Sequence, residues 1–370
     1  MLLTSTLLLS TFIVLKTSQS PHGFTRPLRG WNSWGIQATP GTTPSYPSDL
    51  GRLINQQCSV LANDADLRHA GYTLCSLDGG WYYTSLTDKY GRVTYNESLF
   101  DMPRLGRYLH SQGLKFGLYA QPGIPCEARD KTIFNTNDTC IPDDLSRSAV
   151  AFHRTIENSG RRIELDVSSN VYRSEPYWGT WGSSAESIRV DTDINNYGGN
   201  TFVNMREVQR TIENYRQFAN LQVRDIKSGL GSGSVTLRGN LDTLLVGNLA
   251  NVTGVTDTQR ITLMIYWMSS SSNHLLGLDM TNLDDLGRYL ISSPGSIAAA
   301  DFCAEYPMQP RNPGSGGNEA RQLQAWVSGP NEKGEAYVLF SNLGPDLGKG
   351  GFVGVGAGRQ NVSVSLGDLD

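Results

Sequence analysis

Seven short apolar runs, separated by stretches with helical spacing, constrain this chain more than any other feature. Three of the runs end at Trp34, at Asp78 (after Tyr72 to Leu77) and at Ala120 (after Lys115 to Tyr119). The others cover Ile163 to Val167, Ser187 to Val190, Leu241 to Val246 and Leu275 to Leu278. Between them lie helical patterns over Asp101 to Gln112, Ser146 to Asn158, Asn204 to Phe218 and Asp257 to Ser271. In the first of these, Arg104, Leu105, Tyr108 and Leu109 are spaced for one face, and Gly113 stops the helix before a strand. Strands that alternate with helices predict a parallel α/β barrel rather than a sandwich.

A closed barrel of this kind needs eight strands, and the count is seven. The shortfall can be located. From Gln121 to Leu145 the chain carries Pro122, Gly123, Pro125 and Pro142 among several Asn and Asp, which break regular structure. A βα unit takes roughly 30 residues or more, so this window cannot hold a helix, a strand and their loops. One unit is expected to be missing there.

Beyond Cys303 the texture changes. Met308 to Gly317 has the composition of a linker, and alternating segments follow at Leu323 to Val327, Ala336 to Phe340 and Val362 to Leu366. They read as antiparallel strands of a small β domain, too few to close a sandwich before the chain stops at Asp370. The expected division is therefore a leader over 1–20, a barrel over 21–305 and a partial C-terminal β domain over 306–370.

The 370 residues suffice for a large core, and a net charge of −4 points to neither nucleic acid nor a membrane surface. Leu2 to Leu15 is mostly apolar but too short to span a bilayer, and small residues follow it at Thr17 to Ser20, which predicts a cleaved secretory leader. Secretion agrees with the glycan acceptor triplets at Asn96, Asn137, Asn251 and Asn361. Of five cysteines, Cys58 is close enough in sequence to Cys75 to bridge, as Cys126 is to Cys140, which leaves Cys303 single. No cysteine or histidine spacing resembles a metal site.

Three segments carry the candidate chemistry. Trp31 and Trp34 flank one strand end, while Asp78 and Trp81 sit at the next. Aromatic faces and carboxylates at a barrel mouth suit a sugar, whose C–H groups pack on rings while its hydroxyls donate to oxygen. The same tryptophans could equally be core, and Asp78 could cap a following helix. The segment Glu186 to Asn195 delivers Arg189 and, four residues on, Asp193, with Asp191 equally eligible as the reacting carboxyl. Asp166 lies on a strand and could face the pocket or pair with Arg161 or Arg162.

The chain resembles glycoside hydrolase family 27, the α-galactosidase or melibiase family, and most of all its secreted fungal branch. The resemblance runs from about Arg29 to the end. It rests on G-W-N-S-W (Gly30 to Trp34), A-G-Y-T-L-C-S-L-D-G-G-W (Ala70 to Trp81) and G-L-K-F-G-L-Y (Gly113 to Tyr119). It continues in E-P-Y-W-G-T-W (Glu175 to Trp181), R-V-D-T-D-I-N-N (Arg189 to Asn196), L-D-T-L-L-V-G-N (Leu241 to Asn248) and L-D-D-L-G (Leu283 to Gly287). It implies a barrel followed by an antiparallel β domain and retaining hydrolysis of terminal α-galactosides without metal or organic cofactor. By the same resemblance Asp193 is the acid/base carboxyl and Arg189 binds a sugar hydroxyl. Asp78 holds the 4- and 6-hydroxyls, although Gly79 stands where a second aspartate often follows; Trp31 lines the site, and Asp242 lies near its rim. The family nucleophile is the aspartate of a K-x-D strand motif, and none occurs between Tyr119 and Ser146. The motif's lysine is absent with it, as is a cysteine that often follows and could bridge to Cys126. The departure falls in the window that is short of chain.

Overall fold

The computed structural model describes residues 14–37, 50–121, 130–132, 145–168, 177–228, 234–311, 321–352 and 356–364. The strands are β1 Arg29–Asn32, β2 Leu74–Leu77, β3 Tyr82–Thr87, β4 Val93–Tyr95, β5 Lys115–Leu118, β6 Asp166–Val167, β7 Ser187–Arg189, β8 Arg238–Asn240, β9 His274–Leu276, β10 Gln309–Arg311, β11 Leu323–Ser328 and β12 Tyr337–Asn342. The helices are α1 Trp34–Gln37, α2 Leu50–Asn63, α3 Ala65–His69, α4 Met102–Ser111, α5 Leu145–Ser159, α6 Tyr177–Ser184, α7 Met205–Ser228, α8 Ala250–Thr253, α9 Asp257–Ser269, α10 Asp285–Ser292 and α11 Pro294–Glu305.

Local chemistry sets the helix ends. Asp101 caps α4 by accepting from the Arg104 N–H, and Met102, Leu105 and Leu109 form its buried face. Thr256 and Gln259 cap each other's backbone at the start of α9, closing a capping box. All four helices expected from the sequence are present, with α7 running ten residues past the expected Phe218 because Tyr215, Phe218, Ala219 and Gln222 continue its buried face.

Two parallel sheets form the body. One has the order β5-β2-β1-β9, the other β6-β7-β8, and a parallel bridge between Leu244 and Leu276 links the chain after β8 to β9. The seven segments thus follow one another in an arc from β5 round to β6. Among the described residues, β5 and β6 are paired on one side only. The strand expected at Leu241 to Val246 is displaced. Its ladder covers Arg238–Asn240, because Asp242 takes a left-handed conformation (φ +86°) that breaks the pairing.

Apolar side chains from both sheets and the surrounding helices make one continuous core, with Trp31, Ile188, Leu263 and Trp267 fully buried. A disulfide joins Cys58 of α2 to Cys75 of β2. Cys126 and Cys140 lie outside the described residues, as does Asn137. Cys303 is a buried free thiol whose Sγ lies 3.4 Å from Ser328 Oγ, and burial pushes it up to about 11. No described helix is long and apolar enough to cross a membrane.

Three features differ from expectation. Between Asp78 and α4 the chain forms the antiparallel hairpin β3–β4, whose turn is tied by Asp88 accepting from the N–H groups of Tyr90 and Arg92. The expected linker begins with a strand: β10 pairs antiparallel with β11, which pairs with β12, while residues 362–364 form no strand. Finally, residues 15–20 belong to the packed body rather than falling outside a boundary at 20. Leu15 is fully buried, Thr17 bridges Val235, and Ser20 Oγ donates to Glu186 at 3.0 Å. His22 meets the same carboxylate at 2.8 Å and His153 of α5 at 2.8 Å, so this segment is tied to the base of the arc.

Candidate active site

A cavity of about 1270 Å³ opens at the C-terminal ends of the parallel strands. Trp34 follows β1, Asp78 follows β2, Tyr119 follows β5, Asp193 follows β7 and Asp242 follows β8, and all five line it. This is the face on which parallel barrels carry their chemistry. The cavity continues downward between β5 and β6, where Phe116, Leu118, Phe152 and Leu165 form an apolar wall.

Arg189 is the hub. It is buried, and its Nη2 donates to Asp242 Oδ2 at 2.8 Å and to Asp193 Oδ1 at 3.2 Å. Burial opposes its charge, but the carboxylates of Asp242, Asp193 and Asp166 outweigh that and hold it above the usual arginine range. Asp242, expected near the rim, is instead buried beside the arginine. Its Oδ2 also accepts from the Ile194 N–H at 2.9 Å, and its Oδ1 accepts from the Thr243 N–H at 2.7 Å. Burial pushes its carboxyl up, with Arg189 pulling the other way. A non-glycine residue at φ +86° persists only where its surroundings over-determine it, and these three contacts do so.

Asp193 is different in kind. Its side chain is 49% exposed, with Oδ1 against Arg189 and Oδ2 accepting from the Tyr197 hydroxyl at 2.8 Å. Asp191 points away: it accepts from Arg210 Nε at 2.6 Å and Thr211 Oγ1 at 2.9 Å, anchoring α7. The two carboxyls that the sequence left equivalent therefore do different jobs. Asp78 lines the cavity and accepts from the Gly79 N–H at 2.8 Å; burial pushes its carboxyl up, and a hairpin rather than a helix follows it. Asp166 lies lower, held by Ser187 Oγ (2.8 Å), Asn240 Nδ2 (2.6 Å) and Asn273 Nδ2 (3.2 Å) rather than by Arg161 or Arg162. Burial pushes it up as well.

Trp31 is a correction. It is fully buried and its Nε1 donates to the Leu278 carbonyl at 2.8 Å, so it braces β1 within the core. Side chains alternate along a strand, and Asn32 and Trp34 face the cavity instead. Gly35 lets this turn approach the β9 end closely, since a Cβ there would fall 1.2 Å from the Gly277 carbonyl oxygen. Trp81 also braces rather than lines: its Nε1 donates to the Tyr119 carbonyl at 2.6 Å. Asn32, Tyr119, Asn195 and Tyr197 had no distinguishing signal in the sequence, though each lies within or next to a quoted motif.

The arrangement sets the Arg189 guanidinium among several carboxylates beside the rings of Trp34 and Tyr119. It can accept from sugar hydroxyls, donate to one of them, and offer an exposed carboxyl for proton transfer. Among the described residues no group of three His, Cys, Asp or Glu could hold a metal ion.

Comparison with known proteins agrees with this chemistry. The α-galactosidase A family model matches residues 47–139. A protein of Emericella nidulans called putative α-galactosidase 8 is 53% identical over 413 residues, which cover 96% of this chain and 82% of that protein. Alpha-galactosidase 3 of Hypocrea jecorina is 38% identical over 420 residues, covering 96% and 66% respectively. Since 96% of 370 residues is about 355, the first alignment contains about 58 positions at which this chain has no residue. Among solved structures, a family 27 β-L-arabinopyranosidase of Geobacillus stearothermophilus superposes with a TM-score of 0.65 at 16% identity, covering 86% of this chain and 85% of that one. The α-galactosidase of Saccharomyces cerevisiae does so at 0.60 and 18%, covering 88% and 76%, and at such identities the likeness speaks for the fold.

Proposed function

Since the chain belongs to glycoside hydrolase family 27, the α-galactosidase family, we propose that it hydrolyses terminal α-D-galactosides with Asp193 as the acid/base. The observation that carries this reading is the placement of Asp193. It is the half-exposed carboxyl of the cavity mouth, with one oxygen against Arg189 and the other beside the Tyr197 hydroxyl, where it could meet a departing oxygen. Trp34 would offer its ring to the sugar, Asp78 would accept from its hydroxyls and Arg189 would donate to one. Asp242 would hold Arg189 in place. The glycan acceptor triplets support secretion.

A retaining mechanism needs a second carboxyl about 5–5.5 Å from the first. The sequence offers no K-x-D strand for it, and we assign the shortfall to one absent βα unit between β5 and β6. The one-sided pairing of both strands, the cavity that runs between them and the roughly 58 unmatched alignment positions support this assignment. The architecture is then an eight-stranded barrel lacking about one unit, followed by the antiparallel β10–β11–β12 sheet. Asp193 can still protonate the departing oxygen, but the group that attacks C1 from the opposite face is missing.

A small anion can replace that group. With azide, the C1–N bond forms as C1–O breaks, the proton passes from Asp193 to the departing oxygen, and β-galactosyl azide results. We expect slow release of nitrophenol from 4-nitrophenyl α-galactoside that molar azide accelerates by about tenfold or more, less than a full nucleophile supplies. Asp193→Asn should remove about 10²–10⁴ of the rescued rate for an alkyl galactoside. Fast turnover indifferent to azide would refute the missing-unit assignment. Turnover absent with and without azide would refute hydrolysis; the absent K-x-D motif favours galactose binding without catalysis as the second reading, and calorimetry with galactose would register it.

A further inference from the structure

Asp193 stands on a turn with half its side chain in solvent, and such a carboxyl ordinarily samples several rotamers. Proton transfer requires one orientation. Arg189 holds Oδ1, so the oxygen left to exchange a proton is Oδ2, and that oxygen meets the Tyr197 hydroxyl at 2.8 Å. The same hydroxyl lies 3.1 Å from Trp34 Nε1. An indole N–H can only donate, so the Tyr197 oxygen accepts from Trp34 and its own hydrogen is directed at Asp193. The order Trp34 to Tyr197 to Asp193 is therefore fixed in direction. One lone pair of Oδ2 is occupied by the phenol, which leaves the other to carry the proton.

We propose that Tyr197 is the positioning residue of the acid/base: with Trp34 behind it, the phenol sets which lone pair of Asp193 Oδ2 carries the proton. This rests on reading Asp193 as the acid/base.

The loop is built for such a role. Residues 195 and 203 form an antiparallel bridge, and inside it the Asn196 side chain donates to Thr201 Oγ1 and accepts from Asn204 Nδ2. Gly198, at φ +78°, makes the turn directly after Tyr197. A tyrosine that is 56% exposed is thereby held by a stiff hairpin, edge-on to the Trp34 ring with centroids 6.5 Å apart. The contact also joins the β1 and β7 loops across the cavity mouth. Burial and the Asp193 charge hold the phenol above the ordinary tyrosine range, so it stays a donor whenever the carboxyl is ionised.

Two measurements test this, one without turnover. In the first, the Trp34 indole N–H is followed by nuclear magnetic resonance through the carboxyl titration of the whole protein. We expect its shift to respond to Asp193, the response to vanish in Asp193→Asn and to shrink several-fold in Tyr197→Phe. A response of equal size in Tyr197→Phe, or none in the unaltered protein, would overturn the relay. In the second, azide-supported turnover of a methyl and a 2,4-dinitrophenyl α-galactoside is compared. Tyr197→Phe should lower kcat for the methyl substrate about tenfold, a fraction of what general acids contribute, and change the dinitrophenyl rate less than about twofold. The loss in kcat caused by Trp34→Phe should shrink when Tyr197→Phe is already present, because residues acting in series are not additive, while the part owed to the ring's contact with the sugar remains. Equal losses on both substrates, or none, would refute positioning. If no substrate turns over, the hydrolytic reading fails while the resonance experiment still decides the contact.

Discussion

The two sides of the cavity differ sharply. On the side of β7 and β8, the functional carboxyls are closely partnered: Asp242 has an arginine and two backbone donors, and Asp193 an arginine and a phenol. On the side of β5 and β6, large apolar side chains stand in water, with Leu118 48%, Phe152 43% and Ile163 38% exposed, among polar lining residues such as Arg161, Arg162 and Asp166. Large apolar side chains normally leave water when a partner covers them, and exposed strand edges are normally blunted or paired. The first half is polar and tightly bonded. The half beside the proposed deletion leaves large apolar side chains uncovered.

The comparison can be broken from either side. The largest stability effect is expected from Asp242→Ala, which strands Arg189 in a buried setting and should cost about 3–5 kcal/mol in urea unfolding. A loss under about 1 kcal/mol would mean that the polar half is not what holds the site together. Ile188→Ala, in the fully buried centre of the same half, should cost about 2–5 kcal/mol.

A smaller effect is expected from pH. Glu164 lies beside Arg238 at 2.8 Å, yet burial pushes its carboxyl up to about 7, above the 4.5 of a free glutamate. Between those values the folded state keeps a proton that the unfolded state has released, so stability falls as pH rises through the window and levels off above it. The slope should not exceed about 1.4 kcal/mol per pH unit, and Glu164→Gln should flatten it. A slope unaltered in that variant would place the proton elsewhere.

The smallest effect belongs to the open side. Leu118→Ser should change stability by no more than about 0.5 kcal/mol while reducing self-association in light scattering. A loss comparable to that of Ile188→Ala would show that the β5 edge is covered after all.

Much of this was legible in the sequence, for identifiable reasons. The helix over 101–112 announced itself through the spacing of Arg104, Leu105, Tyr108 and Leu109 and through Gly113. The β2 and β5 strands could be read from apolar runs, and the count of seven strands pointed to the proposed gap. Arg189 and a carboxyl just beyond the strand end were legible as a pair, with Asp191 and Asp193 equally eligible until the fold turned Asp191 toward Arg210. What failed did so locally. Trp31 and Trp34 look alike in a motif, and only the pleat separates core from cavity. Leu241 to Val246 reads as an unbroken strand until Asp242 turns left-handed. Gln309 to Arg311 has linker composition yet pairs with β11, since pairing depends on the partner.

The amino-acid order alone settled the periodicities, the helix stop at Gly113 and the residue types able to handle a sugar, because these depend on neighbours within a short stretch of chain. Which aspartate faces the cavity, which tryptophan leaves it, and that Tyr197 meets both Trp34 and Asp193 depend on groups as distant in sequence as the 163 residues between Trp34 and Tyr197. Contacts of that reach leave no local pattern, so only the folded arrangement could decide them.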